Sequence, residues 1–173
     1  MSFPCRTAKT ASATDIRTIN TVENMKVLLV NGSPHKEGCT YTALTEVEKE
    51  LNAAGVETEL IWLGTKPISG CLGCAQCIRK GPNGEPASLR CFINDSVNEF
   101  LDKAEKADGF IFGSPVHYAA LSGALTSFMD RAFYGKGKVF RYKPAAGIVS
   151  ARRGGTTAAF DQINKYFTIS SMP

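Results

Sequence analysis

Four short strand-like runs punctuate the chain, and each is followed further on by a helical period. The runs are Val27–Val30, Val56–Leu63, Gly109–Gly113 and Ala145–Val149. Val27–Val30, short and continuously apolar, suits a strand buried on both faces, and the other three read as further strands. Leu44, Val47 and Leu51 follow the first run at helical spacing, and Gly55 stops that helix. Asp95–Ala107 puts Val97, Phe100, Leu101 and Ala104 on one face, with Ser96 and Glu99 spaced as a capping box. Leu121–Phe133 turns Leu121, Leu125, Phe128 and Ala132 inward, and Phe160, Ile163 and Phe167 mark a last helix after the Gly154-Gly155 turn. Strands alternating with helices define an α/β class: a doubly wound parallel sheet in three layers, α/β/α.

At 173 residues the chain suits one domain with a sizeable core. Residues 1–24 differ from the rest. They are rich in Thr, Ser and Ala without a sustained period, and read as a disordered or extended tail before a domain spanning 25–173. No apolar stretch is long enough to span a membrane, and no apolar signal core opens the chain, so the expected location is cytoplasmic. A net charge of +4 with no long basic run argues against nucleic acid and is compatible with a small anion.

Doubly wound sheets bind ligands at the carboxyl ends of their strands. That rule singles out Asn31–Thr40, Ser114–Leu121 and Ser150–Thr156. The first loop, "NGSPHKEGCT", leads from a strand into a helix, where orphan amides and the helix dipole stabilise an anion. Its two glycines are wrongly spaced for a Walker loop, and Cys39 stands where that loop needs lysine. A single terminal phosphate held by amides and the Ser33 and Thr40 hydroxyls fits better than a triphosphate. The second loop sets His117 and Tyr118, two flat rings, behind Pro115. The third, "SARRGGT", offers Gly154 and Gly155 amides beside Arg152 and Arg153, suited to a ring that becomes anionic on reduction. Taken singly, each has a plainer reading: a strand-to-helix turn, ordinary ring packing, a solvated Arg pair. With two histidines in all, HExxH zinc chemistry is excluded, and there is no G-x-S-x-G elbow. A chain without acid, base or nucleophile constellations holds a reactive cofactor rather than reacting itself.

Together, "NGSPHKEGCT", "GCLGCAQC", "GFIFGSPVHYAALSGALTSFMDR" and "SARRGGT" resemble the NADPH-dependent FMN reductase family of flavodoxin-like proteins, over nearly all the chain from Met25. The resemblance implies FMN, with its phosphate on Ser33, His35, Cys39 and Thr40. His35 stands where the family often has Arg or Lys, and Cys39 where it often has Asn. It implies that Pro115, Val116, His117 and Tyr118 line the isoalloxazine ring, and that Ser150, Arg152, Gly154 and Gly155 meet its pyrimidine edge. The implied activity is a FMN-dependent NAD(P)H oxidoreductase: hydride passes from NAD(P)H to the flavin, then electrons pass to a quinone, a nitro or azo compound, free flavin or ferric iron. No protein catalytic residue is expected, and the family usually forms homodimers or higher homo-oligomers. The alternative is an iron–sulfur flavoprotein or a flavodoxin-like carrier that acts with a protein partner.

Six cysteines bear on that alternative. Cys71, Cys74 and Cys77 form C-x-x-C-x-x-C, the first part of a [4Fe–4S] run, with Cys91 as a fourth thiolate. The run resembles that of iron–sulfur flavoproteins, which carry such a cluster after the second strand. Residues 78–90 separate Cys77 from Cys91, more than in a compact run, so the spacing favours reduced thiols beside a flavin over a bound cluster. Zinc is a third option for four thiolates. Finally, flavodoxin-like sheets have five strands in the order 2-1-3-4-5. Four are legible here, and "NKYFTISSMP" ends the sequence where the last strand would begin, so a domain truncated at its C-terminus is expected.

Overall fold

The computed structural model describes residues 25–84 and 90–173, so the tail expectation for 1–24 lies outside the described residues. In chain order the elements are β1 (Lys26–Asn31), α1 (Cys39–Ala53), β2 (Glu57–Trp62), α2 (Ser96–Ala104), β3 (Gly109–His117), β4 (Ala120–Leu121), α3 (Gly123–Phe140), β5 (Ala145–Ser150) and α4 (Thr156–Ile169). Four strands run parallel in the order β2-β1-β3-β5. The path steps outward from β1 to β2, then back across to β3 and β5. Right-handed crossovers in opposite directions put their helices on opposite faces of the sheet. Accordingly α1 packs Leu44 on Leu29 and Ile111 on one side. On the other, α2, α3 and α4 bury Phe100, Leu101, Leu125, Phe128, Ile163 and Phe167 against Leu28, Val30, Phe110 and Phe112. This is the flavodoxin-like three-layer α/β/α fold.

Phenylalanines dominate the larger core. Phe133 and Phe140 stack at 4.3 Å between ring centroids, and Phe100 meets Phe128 edge-on at 4.8 Å. Offset and edge-on pairs match the ring quadrupoles and add to the area buried.

The structure revises several sequence expectations. The α2 cap is Asp95, whose extended backbone (φ −148°) lets its Oδ1 accept from the Val97 amide; Ser96 is already helical, so the expected capping box does not form. Strand β3 runs past Gly113 to His117 and folds back on the two-residue β4. Helix α3 starts after a Ser122 cap and continues past Phe133 through Gly135-Lys136-Gly137, with Lys136 non-helical (φ −124°, ψ 36°). It runs on because Lys136 is buried, with Nζ on Glu105, and because Phe140 completes the phenylalanine stack. On α4, Ile163 and Phe167 are buried while Phe160 is 41% exposed. On the outer edge of β5, the Ala145 amide donates to the carbonyl of Pro173 at 3.1 Å.

Phe128 is wholly buried and touches the ring of Phe100. Phe128→Ala is expected to cost about 3–5 kcal/mol, seen as a lower urea midpoint with an unchanged slope.

Candidate functional site

The carboxyl ends of β1, β3 and β5 bring the three expected loops side by side. Asn31, wholly buried at the end of β1, shapes the first loop. Its Oδ1 accepts from the Ser33 amide at 3.0 Å and its Nδ2 donates to the Lys36 carbonyl at 3.2 Å. The Ser33 Oγ accepts from the His35 amide, and Trp62 at the end of β2 donates its indole N–H to the Ser33 carbonyl at 2.8 Å. Ser122, the α3 cap, donates its hydroxyl to the Gly32 carbonyl at 2.7 Å. The loop is therefore held from three neighbouring elements.

Ser33 and Thr40 are buried, whereas His35 and Cys39 are exposed. The two helices that follow the first and third loops, α1 and α4, have glycine N-caps with no side-chain cap. By contrast, α2 and α3 are capped by Asp95 and Ser122. Uncapped first-turn amides are orphan donors that an anion satisfies. The residues present therefore fit an FMN phosphate at the start of α1.

The second loop is a tight hairpin. Val116 pairs with Leu121 and His117 with Ala120, leaving Tyr118 and Ala119 at the turn with φ of +50° and +60°. Two left-handed residues define a type I′ turn, which normally takes Asn-Gly. Strain of this kind collects where function requires it. Tyr118 and His117 stand exposed while Pro115 and Val116 are half-buried. The third loop passes directly beneath the turn. Gly155 has φ +90°, and a Cβ there would lie 2.8 Å from Ala119 Cα. The first and third loops are joined by a hydrogen bond of 2.8 Å between the Thr40 and Ser150 hydroxyls. Arg152 and Gly154 face solvent. The expected binders thus share one open ledge.

A second constellation lies apart from the ledge. Cys71, Cys74, Cys77 and Cys91 line one cavity, with Leu72, Phe92, Arg131 and Tyr134 around it. Cys71 and Cys74 are exposed, Cys77 is buried and Cys91 half-buried, and all four are free thiols. Burial, with the neighbouring thiols Cys91, Cys71 and Cys74 adding to it, pushes the Cys77 thiol up. The enclosed space is small, 20 Å³, and among the described residues no three Cys, His, Asp or Glu side chains stand close enough to hold a single metal ion. Asn98, buried on α2, fixes the backbone at Cys91: its Oδ1 accepts from the Cys91 amide and its Nδ2 donates to the Cys91 carbonyl, both at 2.9 Å.

Sequence reasoning missed Asn31, Trp62, Asn98, Ser122 and Arg131. Arg131 left one signal: it lies three residues after Phe128, on the face of α3 that otherwise turns apolar residues inward.

A doubly wound sheet with an anion-ready helix end and two further loops on the same strand-end ledge defines a flavodoxin-like flavoprotein. The comparisons agree. Residues 25–173 match the NADPH-dependent FMN reductase family, and the chain belongs to that family of FMN-dependent oxidoreductases. An iron–sulfur flavoprotein of Methanocaldococcus jannaschii is 36% identical over 154 residues, covering 86% of this chain and 74% of that protein. Another, from Archaeoglobus fulgidus, is 32% identical over 126 residues, and the chain spans about half its length, 54%. Among solved structures, the flavoenzyme NAD(P)H:acceptor oxidoreductase FerB of Paracoccus denitrificans superposes with a TM-score of 0.61 at 19% identity, covering 86% of this chain and 74% of that one. An archaeal flavodoxin superposes at 0.57 and 16% identity, covering 86% and 77%. At these identities the structural likeness shows the fold.

Two outcomes follow. Gly155→Ala meets both a left-handed backbone and the Ala119 contact, a strain of about 1–3 kcal/mol. It is expected to weaken FMN binding roughly tenfold or more, read by quenching of Trp62, the single tryptophan. Gly154→Ala, with nothing within 4 Å of its Cβ, is expected to bind normally. The second concerns acid. Burial alone would raise the Asp95 carboxyl, but hydrogen bonds from Arg131 and the Val97 amide, with the Arg131 charge, hold it below its usual value. A depressed folded-state value stabilises above the unfolded pKa of about 3.9 and is lost as pH falls through the folded one. The stability advantage of wild type over Asp95→Asn is therefore expected to be constant near neutrality and to shrink below about pH 4, measured by denaturation at stepped pH.

Proposed function

We propose that this chain is an FMN oxidoreductase of the iron–sulfur flavoprotein type, with FMN on the strand-end ledge and a [4Fe–4S] cluster on Cys71, Cys74, Cys77 and Cys91. The observation that carries this reading is the convergence of four cysteines, from two separate segments, on one cavity. The long interval between Cys77 and Cys91 loses its force as an objection, because Asn98 and Arg131 fix the Cys91 segment back against the C-x-x-C-x-x-C loop. A single zinc needs all four sulfurs about 2.3 Å from one point, whereas a cubane spreads them over its corners; thiolates ringing a cavity suit the latter. The curated relatives, named as iron–sulfur flavoproteins, support the same reading.

FMN, when bound, accepts electron pairs and releases single electrons, and so joins a two-electron donor to a one-electron centre. The chain's part is to bind and orient. Asn31, Trp62 and Ser122 hold the first loop so that Ser33, Thr40 and the α1 amides meet the phosphate. Pro115, Val116, His117 and Tyr118 border the ring, and Ser150, Arg152, Gly154 and Gly155 its polar edge. His35 and Cys39 take the outer rim of the phosphate site. Five free cysteines among the described residues fit a reducing, cytoplasmic setting. Exposed Leu72, Phe92 and Tyr134 around the cysteine cavity support a homodimer or higher homo-oligomer.

A second reading keeps FMN but no cluster: NAD(P)H reduces the flavin, and a quinone, nitro or azo compound, free flavin or ferric iron takes the electrons. The family's nicotinamide dependence and the small enclosed space favour it. Anaerobic purification separates the two. The proposal expects flavin absorbance with about four irons and four sulfides per chain. Flavin without iron, reducible by NADPH, would contradict it and establish the second reading.

A further inference from the structure

We propose that Arg131 is the positioning residue of the cysteine site: it joins the two cysteine-bearing segments and singles out Cys91 among the four ligands through a directed N–H···S bond. This inference rests on the cluster reading above.

The side chain of Arg131 is wholly buried. A guanidinium has five N–H donors in a rigid fork, and here five acceptors meet them. Nη1 and Nη2 grip Asp95 Oδ2 and Oδ1 at 2.6 and 2.7 Å, a bidentate pair. Nη1 also reaches the Ser69 carbonyl at 3.4 Å, and Nη2 the Ile93 carbonyl at 3.0 Å. Nε donates to Cys91 Sγ at 3.2 Å. Ser69 lies two residues before Cys71, and Ile93 two after Cys91. One side chain from α3 therefore ties down both segments that supply thiols. A lysine supplies a point charge on a flexible stem and cannot reproduce this fork.

The geometry also separates the two jobs of the group. Asp95 neutralises the guanidinium on its Nη face, so the pair as a whole adds no net charge beside the thiols. What remains on the cysteine side is one N–H dipole aimed at one sulfur. Hydrogen bonds to ligand sulfurs withdraw electron density and favour the reduced form of a cluster. Cys91 is thus the ligand through which the fold sets the potential, while the exposed Cys71 and Cys74 are left to solvent.

The test uses anaerobically purified protein labelled with ¹⁵N in arginine alone, reduced and studied by pulsed EPR. Wild type is expected to show a ¹⁵N hyperfine coupling at the cluster, and Arg131→Lys to lack it. The lysine variant is expected to surrender iron to a chelator about 10–100-fold faster, with a more negative cluster midpoint and unchanged FMN content. A wild-type cluster without ¹⁵N coupling overturns the inference and leaves the cluster reading standing. So does a lysine variant with wild-type iron retention and midpoint. Wild type without iron overturns both. Should Arg131→Lys fail to fold, the coupling in labelled wild type decides alone.

Discussion

Backbone pairing along β3 is the constraint on which the remaining structure depends. The strand pairs with β1 from Gly109 to Gly113 on one side and with β5 from Phe110 to Pro115 on the other. This central strand fixes where its neighbours end, and those ends carry the first and third loops. Its last two residues, Val116 and His117, pair instead with β4, which lifts Tyr118 and Ala119 over Gly155. The second loop is therefore the continuation of the strand that aligns the other two. Small residues let the layers close at this point: a Cβ on Gly113 would lie 2.9 Å from Thr40 Cγ2. Thr40 can then reach across to Ser150, and three loops distant in sequence act as one surface.

Helix α3 links that surface to the cysteine cavity. Ser122 at its start donates its hydroxyl to the Gly32 carbonyl and its amide N–H to Ser114 Oγ on β3. Arg131, nine residues on and roughly 14 Å along the axis at 1.5 Å per residue, anchors the thiol segments. One element thus sets the spacing between the strand-end ledge and the four sulfurs. The buried ion pair between Arg131 and Asp95 is poor evidence of stability by itself, because desolvation offsets much of its attraction. Its value lies in the geometry it imposes on a loop that has few buried side chains of its own.

Much of this was legible in the sequence where the physics is local. A strand buried on both faces must be apolar without interruption, so Val27–Val30 declared itself, and the strand-end rule then pointed to all three loops. Local competition blurred the edges. Asp95 and Ser96 are both good caps, and only the backbone angle at Asp95 decides between them. The turn at Tyr118-Ala119 carries none of the glycine or asparagine that usually marks a type I′ hairpin, so β4 was invisible. The helical period was legible only to Phe133; Lys136, between two glycines, breaks the helical geometry, and a further helical stretch beyond the kink buries Phe140. The residues that organise the sites act over long separations, as Ser122 does on Gly32 and Arg131 on Asp95. No periodicity records such pairings.

Under the proposed function, one chain presents FMN on the β1, β3 and β5 ends and a cluster on four cysteines clamped by Arg131. Diffraction from crystals of the anaerobically purified protein, collected at the iron absorption edge, tests it most directly. The account predicts an anomalous peak bounded by Cys71, Cys74, Cys77 and Cys91, together with flavin density whose phosphate meets Ser33, Thr40 and the first turn of α1. An empty cysteine cavity, or a flavin seated away from those loops, would contradict it.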